Sequence, residues 1–243
     1  MQNSQDIPGY FWCVILMLAG VENSAYTASM NTSQMERFVA AAESQYNDAL
    51  PYHTWGHAQA VMESLKGLLA RMERRGNRFP EAKRNGLIVA AAWHDVRFGG
   101  EYAKNGFDSE EAFAAYQAAR YLEQQGADSA VIAFVEDAIL ATRHNTQHRS
   151  PAGLALHRAD IDNIGGPYAG FLATNTSLFQ EAEVLGNPID LQTHKERTAK
   201  FVRFTINEMR NELPLLHEHV GTPSAFDTVA AQNLERYLGE ATQ

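Results

Sequence analysis

Four short segments of the chain place histidine or aspartate within stretches that otherwise have the composition of helices, at 52–57, 93–95, 141–144 and 159–162. The reactive groups in them are imidazoles and carboxylates, above all those of His57, His94, Asp95 and Asp160. Such groups are costly to bury unless they are paired or bind a metal. Because mixed nitrogen and oxygen ligands suit Mn, Fe, Co, Ni or Zn and leave positions open for water, the pattern predicts a divalent metal site.

Apolar residues at helical spacing indicate the helices that must position these groups. His57 begins one apolar face, His94 ends another and Asp160 shares the face of a third, so all three side chains are expected to point inward. Adjacent helical residues diverge by about 100°, so His94 and Asp95 can bind one ion only if it lies near their helix end. The alanines at 90–92 are small enough to let neighbouring helices approach this pair.

Helix start signals recur along the chain, and the sequence nowhere sustains the alternation that strands require. Capping residues and prolines predict helix starts at Ser33 with Glu36, near Pro51, and at Pro80, Asp108 with Glu111, Asp128, Ser150-Pro151, Asp190 and Thr222-Pro223. The segments 99–106 and 165–167 are interpreted as loops. Without a repeat or a linker, the sequence predicts one all-α domain, a bundle of about eight or nine helices.

The order of the motifs resembles that of the HD superfamily of metal-dependent phosphohydrolases. The Tyr-His-x-x-x-His start at 52–57 is similar to the first metal motif of cyclic nucleotide phosphodiesterases. A closer resemblance is to a bacterial group of predicted HD phosphohydrolases, which share this start, the Ala-x-x-His-Asp pair, a Glu-rich helix and the Ala-Thr-x-x-His and Ala-Asp-x-Asp elements. The resemblance covers residues 33–239, and residues 31–243 are therefore interpreted as an HD-type phosphohydrolase domain.

Carried over residue by residue, the resemblance implies that the metal ligands are His57, His94, Asp95 and Asp160. The ion would be Mn, Mg, Co, Ni, Fe or Zn, and Asp95 is also expected to act in catalysis. The resemblance further implies that His53 is the acid that protonates the leaving oxygen. Its alternative role is to hydrogen-bond and orient another ligand.

Other polar residues are candidates for contacting the substrate or supporting the ligands. His144 and Glu110 match recurrent polar positions of the bacterial group. Arg143 and Arg149 flank His144 and are candidates for binding a substrate phosphate, because guanidinium matches its oxygens in a bidentate fork. The segment 96–100, Val-Arg-Phe-Gly-Gly, departs from the short acidic loop of that group, and this departure concerns substrate choice more than metal binding.

Composition limits the classes of function. The chain is 45% apolar and 20% charged, as globular proteins are, and its net charge of −9 argues against nucleic acid or anionic membranes as partners. The single cysteine, Cys13, cannot form an intramolecular disulfide, which favours a cytoplasmic location.

The apolar run at 10–19 is shorter than the roughly 20 residues of a membrane-spanning helix. A secretory signal would have basic residues before such a run, but no Lys or Arg precedes this one. We therefore interpret residues 1–30 as an apolar extension that docks on the core or is poorly ordered. Met30 leaves a downstream start open.

The leading functional hypothesis is hydrolysis of a phosphate ester, either a small phosphorylated metabolite or a nucleotide, by metal-activated water. One alternative is an HD-type di-iron oxygenase, which metal content and oxygen-dependent turnover would distinguish. Another is a non-catalytic nucleotide-binding module, but such a module is expected to have a damaged ligand set. Whether the chain forms a homo-oligomer is left open.

Overall fold

The computed structural model describes residues 30–144, 146, 149–212 and 225–240, which form ten α-helices, one 3-10 helix and no strand. The all-α prediction is confirmed. The helices are α1 (Thr32–Glu43), α2 (Trp55–Arg74), α3 (Glu81–Trp93), α4 (Glu101–Lys104), α5 (Glu110–Gln124), α6 (Ser129–Leu140), α7 (Pro151–Asp160), α8 (Tyr168–Val184), α9 (Leu191–Glu212) and α10 (Ala225–Gly239), with the 3-10 helix at Asp162–Gly165. Two of them, α4 within the expected loop 99–106 and α8, have no start signal in the predicted set.

Two helix caps differ from the prediction by one or two residues. The capping box of α1 joins Asn31 and Gln34, whose side chains accept each other's backbone N–H at 2.9 and 3.0 Å, so it lies two residues before Ser33. Ser109 rather than Asp108 caps α5, because its hydroxyl accepts the N–H of the third helical residue. The caps at Asp128 and Ser150 are confirmed, and the predicted start at Thr222-Pro223 lies outside the described residues.

The first hydrophobic cluster runs from Met30 to Ala159 and surrounds α3, which packs against α1, α2, α5, α6 and α7. The alanines at 90–92 are fully buried, as their small size predicted, and allow this close approach. Leu65 of α2 and Leu87 of α3 are also fully buried, and each such side chain contributes about 1.5–3 kcal/mol to stability. The central helix therefore ends, at His94, deep in the protein.

A second hydrophobic cluster begins at Ile161, one residue after the end of α7. It joins the 3-10 helix, α8, α9 and α10 around the buried side chains of Phe171, Val202 and Leu234. The end of α7 therefore lies where the two clusters meet. Among the helices in the described part of the chain, none combines the length and hydrophobicity needed to cross a bilayer.

Candidate active site

The two histidines and two aspartates predicted as metal ligands converge on one point. His57, His94, Asp95 and Asp160 each contribute one ligand atom, and these four atoms all lie within 4.8 Å of one another. His57 Nε2 is 3.1 Å from Asp160 Oδ1 and 3.4 Å from Asp95 Oδ2, and His94 Nε2 is 2.9 Å from Asp95 Oδ2. A cluster of two imidazole nitrogens and two carboxylate oxygens in this arrangement could bind a divalent ion.

Helix ends bring the four side chains together. His57 lies in the first turn of α2, His94 is the C-terminal cap of α3 with Asp95 directly after it, and Asp160 is the last residue of α7. His94 and Asp95 can therefore both face the cluster although adjacent helical residues diverge, as the sequence predicted.

The imidazole of His94 is oriented as a metal ligand. Its Nδ1 lies 2.8 Å from the carbonyl oxygen of Ala91, which can only accept, so Nδ1 carries the proton. The other nitrogen, Nε2, is buried and is not aligned for a hydrogen bond with either nearby carboxylate. In the neutral ring Nε2 therefore presents a lone pair to the cluster, as metal-bound histidines do.

The directions of the four pKa shifts reflect the interaction of the imidazoles with the carboxylates. Burial opposes the charged form of each residue, but the opposite charges within the cluster, together with the hydrogen bond between His57 and Asp160, outweigh it. The pKa values of His57 and His94 are therefore raised above the usual value for histidine, and those of Asp95 and Asp160 are lowered. Each shift favours positive charge on the imidazoles beside negative charge on the carboxylates, so the donor set fits a divalent cation.

His53 lies beside the cluster and is fixed by a residue that the sequence analysis did not identify. Its Nδ1 makes a short hydrogen bond with Oε1 of Glu181 in α8, while Oε2 of Glu181 accepts the backbone N–H groups of Tyr52 and His53, both at 2.9 Å. The His53 ring also stacks on Phe98, with 3.5 Å between ring centroids. The imidazole is thus held on one edge and on one face.

A cavity of about 360 Å³ opens onto the cluster and is lined by His53, His57, Asp95 and Asp160. Its apolar wall comes mainly from the second hydrophobic cluster and its neighbours, with Ile161, Ile164, Leu178, Phe201 and Val202. The lining also contains polar side chains of α8 and α9, among them Asn175, Thr198 and Arg197. Of the lysines and arginines that the structure describes, only Arg197 lines this cavity.

The remaining predicted polar residues lie around the cavity rather than in its described lining. Arg143 is partly exposed and pairs with Asp108 at 2.9 Å, and the ring of His144 contacts that of Phe204 in α9, at 4.6 Å between centroids. Their predicted contact with the substrate stays a prediction.

Arg149, the second arginine considered for phosphate binding, is buried. Its Nε donates to the carbonyl oxygen of Ala141 at 2.7 Å, and its Nη2 donates to that of Arg143 at 3.0 Å. These bonds stabilise the segment between α6 and α7. The described cation in the cavity is Arg197 instead, which has no motif around it to single it out in the sequence.

Glu110 is the first residue of α5, and its Oε1 accepts the backbone N–H groups of Gly99 and Gly100 at 3.1 and 2.6 Å. Burial raises the pKa of this carboxyl above the usual value for glutamate. Glu110 therefore contacts the loop that follows Asp95, and its predicted role in contacting the substrate or supporting the ligands stays a prediction.

Two solved structures similar to this chain are a phosphodiesterase domain and LmjPDEB1. The phosphodiesterase domain of the Salpingoeca rosetta rhodopsin phosphodiesterase superposes with a TM-score of 0.64 at 14% identity, over 96% of this chain and 88% of that one. LmjPDEB1 in complex with IBMX gives 0.62, also at 14% identity, over 94% of this chain and 83% of that one. No protein-family model matches the chain, and no curated protein does. Because the sequence identity is only 14%, this similarity establishes the fold alone.

Proposed function

We propose that this protein is a metal-dependent phosphohydrolase of the HD superfamily, which hydrolyses a phosphate ester of a small metabolite or a nucleotide. The observation that carries the proposal is the convergence of His57, His94, Asp95 and Asp160 within 4.8 Å, beside a cavity that His53 also lines. The fold shared with a phosphodiesterase domain supports the same assignment.

The ligand residues would bind a divalent ion, whose identity among Mn, Mg, Co, Ni, Fe and Zn is open. When bound, such an ion polarises a phosphoryl oxygen and lowers the pKa of water, so that a nucleophile forms at neutral pH. Asp95 has a second task in the proposal. Its carboxylate accepts a hydrogen bond from the attacking water and orients that water toward phosphorus.

His53 would donate the proton that the leaving group needs. As water attacks phosphorus, the bond between phosphorus and the leaving oxygen breaks, and that oxygen takes a proton from Nε2 of the protonated ring. Glu181 binds the opposite nitrogen and holds the ring in place for this transfer. A positioned acid of this kind typically contributes about 10²–10⁴ to the rate.

The cavity suits an organic group attached to the reacting phosphate. Its volume of about 360 Å³ falls in the range of small-molecule sites, about 300–1,000 Å³. Apolar side chains such as Phe201 and Ile164 can pack against this group, and Asn175 and Thr198 can hydrogen-bond it. The Arg197 guanidinium can pair with an anionic oxygen of the substrate.

The test combines metal content with activity. The protein is purified with and without added Mn, Mg, Co or Ni, its bound metal is measured, and phosphomonoesters, nucleotides and cyclic nucleotides are screened for hydrolysis. Asp95→Ala should lose both metal and activity, whereas Asp48→Ala, which changes an exposed aspartate outside the cluster, should retain both.

Two results would overturn the proposal. If Asp95→Ala hydrolysed the substrate as fast as the wild type, the activity would belong to another site or a contaminant. If the wild type bound two irons, consumed oxygen and released phosphate from no ester, the oxygenase alternative would replace the hydrolase.

A further inference from the structure

The loop after Asp95 has a backbone shape that needs support from outside the loop. Arg97, Gly99 and Gly100 have φ values of 58°, 129° and 85°, so three of the four residues at 97–100 lie in the left-handed region. Residues with side chains rarely adopt such angles, and Arg97 is the only described residue other than glycine that does so. Phe98 lies in the middle of this segment.

Glu110 provides that support. Its Oε1 accepts both glycine N–H groups, at 3.1 Å from Gly99 and 2.6 Å from Gly100, and these donors directly follow Phe98. The other oxygen, Oε2, is buried and has no hydrogen-bond partner among the described residues. The hydrogen bonds of the carboxylate therefore go to the loop backbone, directly after Phe98.

Phe98 transmits this support to His53. The two rings are nearly parallel, at 13°, with centroids 3.5 Å apart, so Phe98 covers one face of the imidazole. Glu181 binds Nδ1 at the edge of the same ring. Together these contacts fix both the plane and the rotation of the ring, and they leave Nε2 as the nitrogen available to a substrate.

We propose that Glu110 and Phe98 are positioning residues for His53: Glu110 shapes the 97–100 loop, and the loop stacks Phe98 on the imidazole so that Nε2 meets the leaving oxygen. This inference rests on the proposed function, in which His53 is the acid. A misplacement of about 1 Å costs about 10²-fold in rate when a reaction depends on orientation. Loss of either residue therefore selectively weakens the proton-transfer step.

The first experiment reports the geometry without requiring activity. The ring protons of His53, assigned by comparison with His53→Gln, should resonate upfield in the wild type because they stack on Phe98. Phe98→Leu should remove this displacement, and Glu110→Ala should reduce it. Glu110→Gln keeps an acceptor oxygen and should show the same upfield displacement as the wild type. Glu123→Ala, an exposed change on the same helix, should leave the displacement unchanged. An unchanged displacement in Glu110→Ala would overturn the inference, even if no ester were ever hydrolysed.

The second experiment uses leaving groups of different acidity. The leaving oxygen of ethyl phosphate is strongly basic and needs a proton, whereas that of p-nitrophenyl phosphate leaves without one. If the wild type acts on diesters, the corresponding ethyl and p-nitrophenyl diesters are used instead. Phe98→Leu and Glu110→Ala should lower kcat about 10- to 100-fold on the ethyl ester and much less on the nitrophenyl ester, with unchanged metal content. Equal losses on both esters would contradict the positioning role. Hydrolysis of neither ester class by the wild type would instead count against the proposed function, and the resonance measurement would then decide the inference.

Discussion

Glu181 and His53 are 128 residues apart in sequence and form one unit in the structure, in which one carboxylate oxygen bonds the imidazole and the other bonds two backbone N–H groups. A residue of α8 thus controls the orientation of a residue that precedes α2. The exposed fraction of Glu181 is 3%, so the carboxylate that makes these bonds is shielded from solvent.

We expect Glu181→Gln to lower kcat about 10- to 100-fold and to leave metal content unchanged, because an amide holds the His53 ring less firmly than a carboxylate does. Glu183→Gln, an exposed change on the same helix, is the control. Since Glu181 acts through His53, the double variant with His53→Gln should be no slower than His53→Gln alone. Losses that multiply in the double variant would show that Glu181 acts separately.

The Glu181–His53 pair should make the free energy of unfolding depend on pH. Burial raises the pKa of the Glu181 carboxyl, but the hydrogen bond and charge of His53 and the backbone donors lower it below its ordinary 4.5. Because the folded pKa is the lower one, the carboxylate stabilises the fold above pH 4.5, and this contribution disappears as pH falls through the folded value.

Urea unfolding of the wild type and of Glu181→Gln measures this contribution. The difference in unfolding free energy should favour the wild type at neutral pH and should shrink below pH 4.5. A difference that stayed constant across this interval would contradict the assigned ionisation.

Metal binding should become tighter as pH rises. Burial disfavours protonated His57 and His94, yet the two carboxylates raise the pKa of both above the usual value, so the metal-free cluster retains protons that an ion must displace. Titration calorimetry in buffers of different ionisation enthalpy should therefore detect proton release. Binding with no pH dependence would contradict this view of the cluster.

Added metal should also stabilise the fold. At 100 times the dissociation constant, an ion that binds only the folded state raises the free energy of unfolding by about 2.7 kcal/mol. The melting temperature of the wild type and of Asp48→Ala should rise with metal, and that of Asp95→Ala should not. An equal rise in Asp95→Ala would place the ion elsewhere.

Arg197→Gln should raise KM by about three- to tenfold, equivalent to roughly 0.7–1.4 kcal/mol, because it removes the proposed pairing of the guanidinium with a substrate oxygen at a partly solvated site. Metal content and kcat should change little. Arg203→Gln, an exposed change further along α9 and outside the described lining of the cavity, is the matched control. Equal KM values for the two variants would remove Arg197 from the substrate site.

Gly153→Ala should destabilise the protein by about 1–3 kcal/mol, because a Cβ there would lie 2.4 Å from that of Ala141. Displacement of α7 would also move Asp160, so metal affinity should fall. Gly170→Ala, in an exposed position of α8 with nothing within 4 Å, should instead stabilise the protein by about 0.5–1 kcal/mol. Thermal or urea unfolding of both variants tests the contrast.

The sequence was sufficient to predict the residues that share a local pattern. His57, His94 and Asp160 each lie at the end of an apolar helix face, and burial of those faces brings the three helix ends together. Helix caps were less certain, since neighbouring Asn31 and Ser33 both have suitable side chains and the choice depends on backbone geometry.

Glu181 could not be predicted in this way. Two of the three buried residues of α8 are polar, Asn175 and Glu181, so the helix has no apolar stripe to identify its inner face. The partners of Glu181 are backbone N–H groups and an imidazole from the other end of the chain, and only the folded structure shows them.

The boundary between the two hydrophobic clusters at Ile161 separates the candidate metal ligands from most of the cavity wall. All four candidate metal ligands precede this boundary, whereas Arg197 and most of the apolar wall follow it. A chimera joined at residue 161 to the corresponding segment of another protein of this fold would inherit the reaction from one parent and the substrate from the other. Such a chimera would be active only if the segment after residue 161 placed a carboxylate where Glu181 lies, because Glu181 holds His53 from the far side of that boundary.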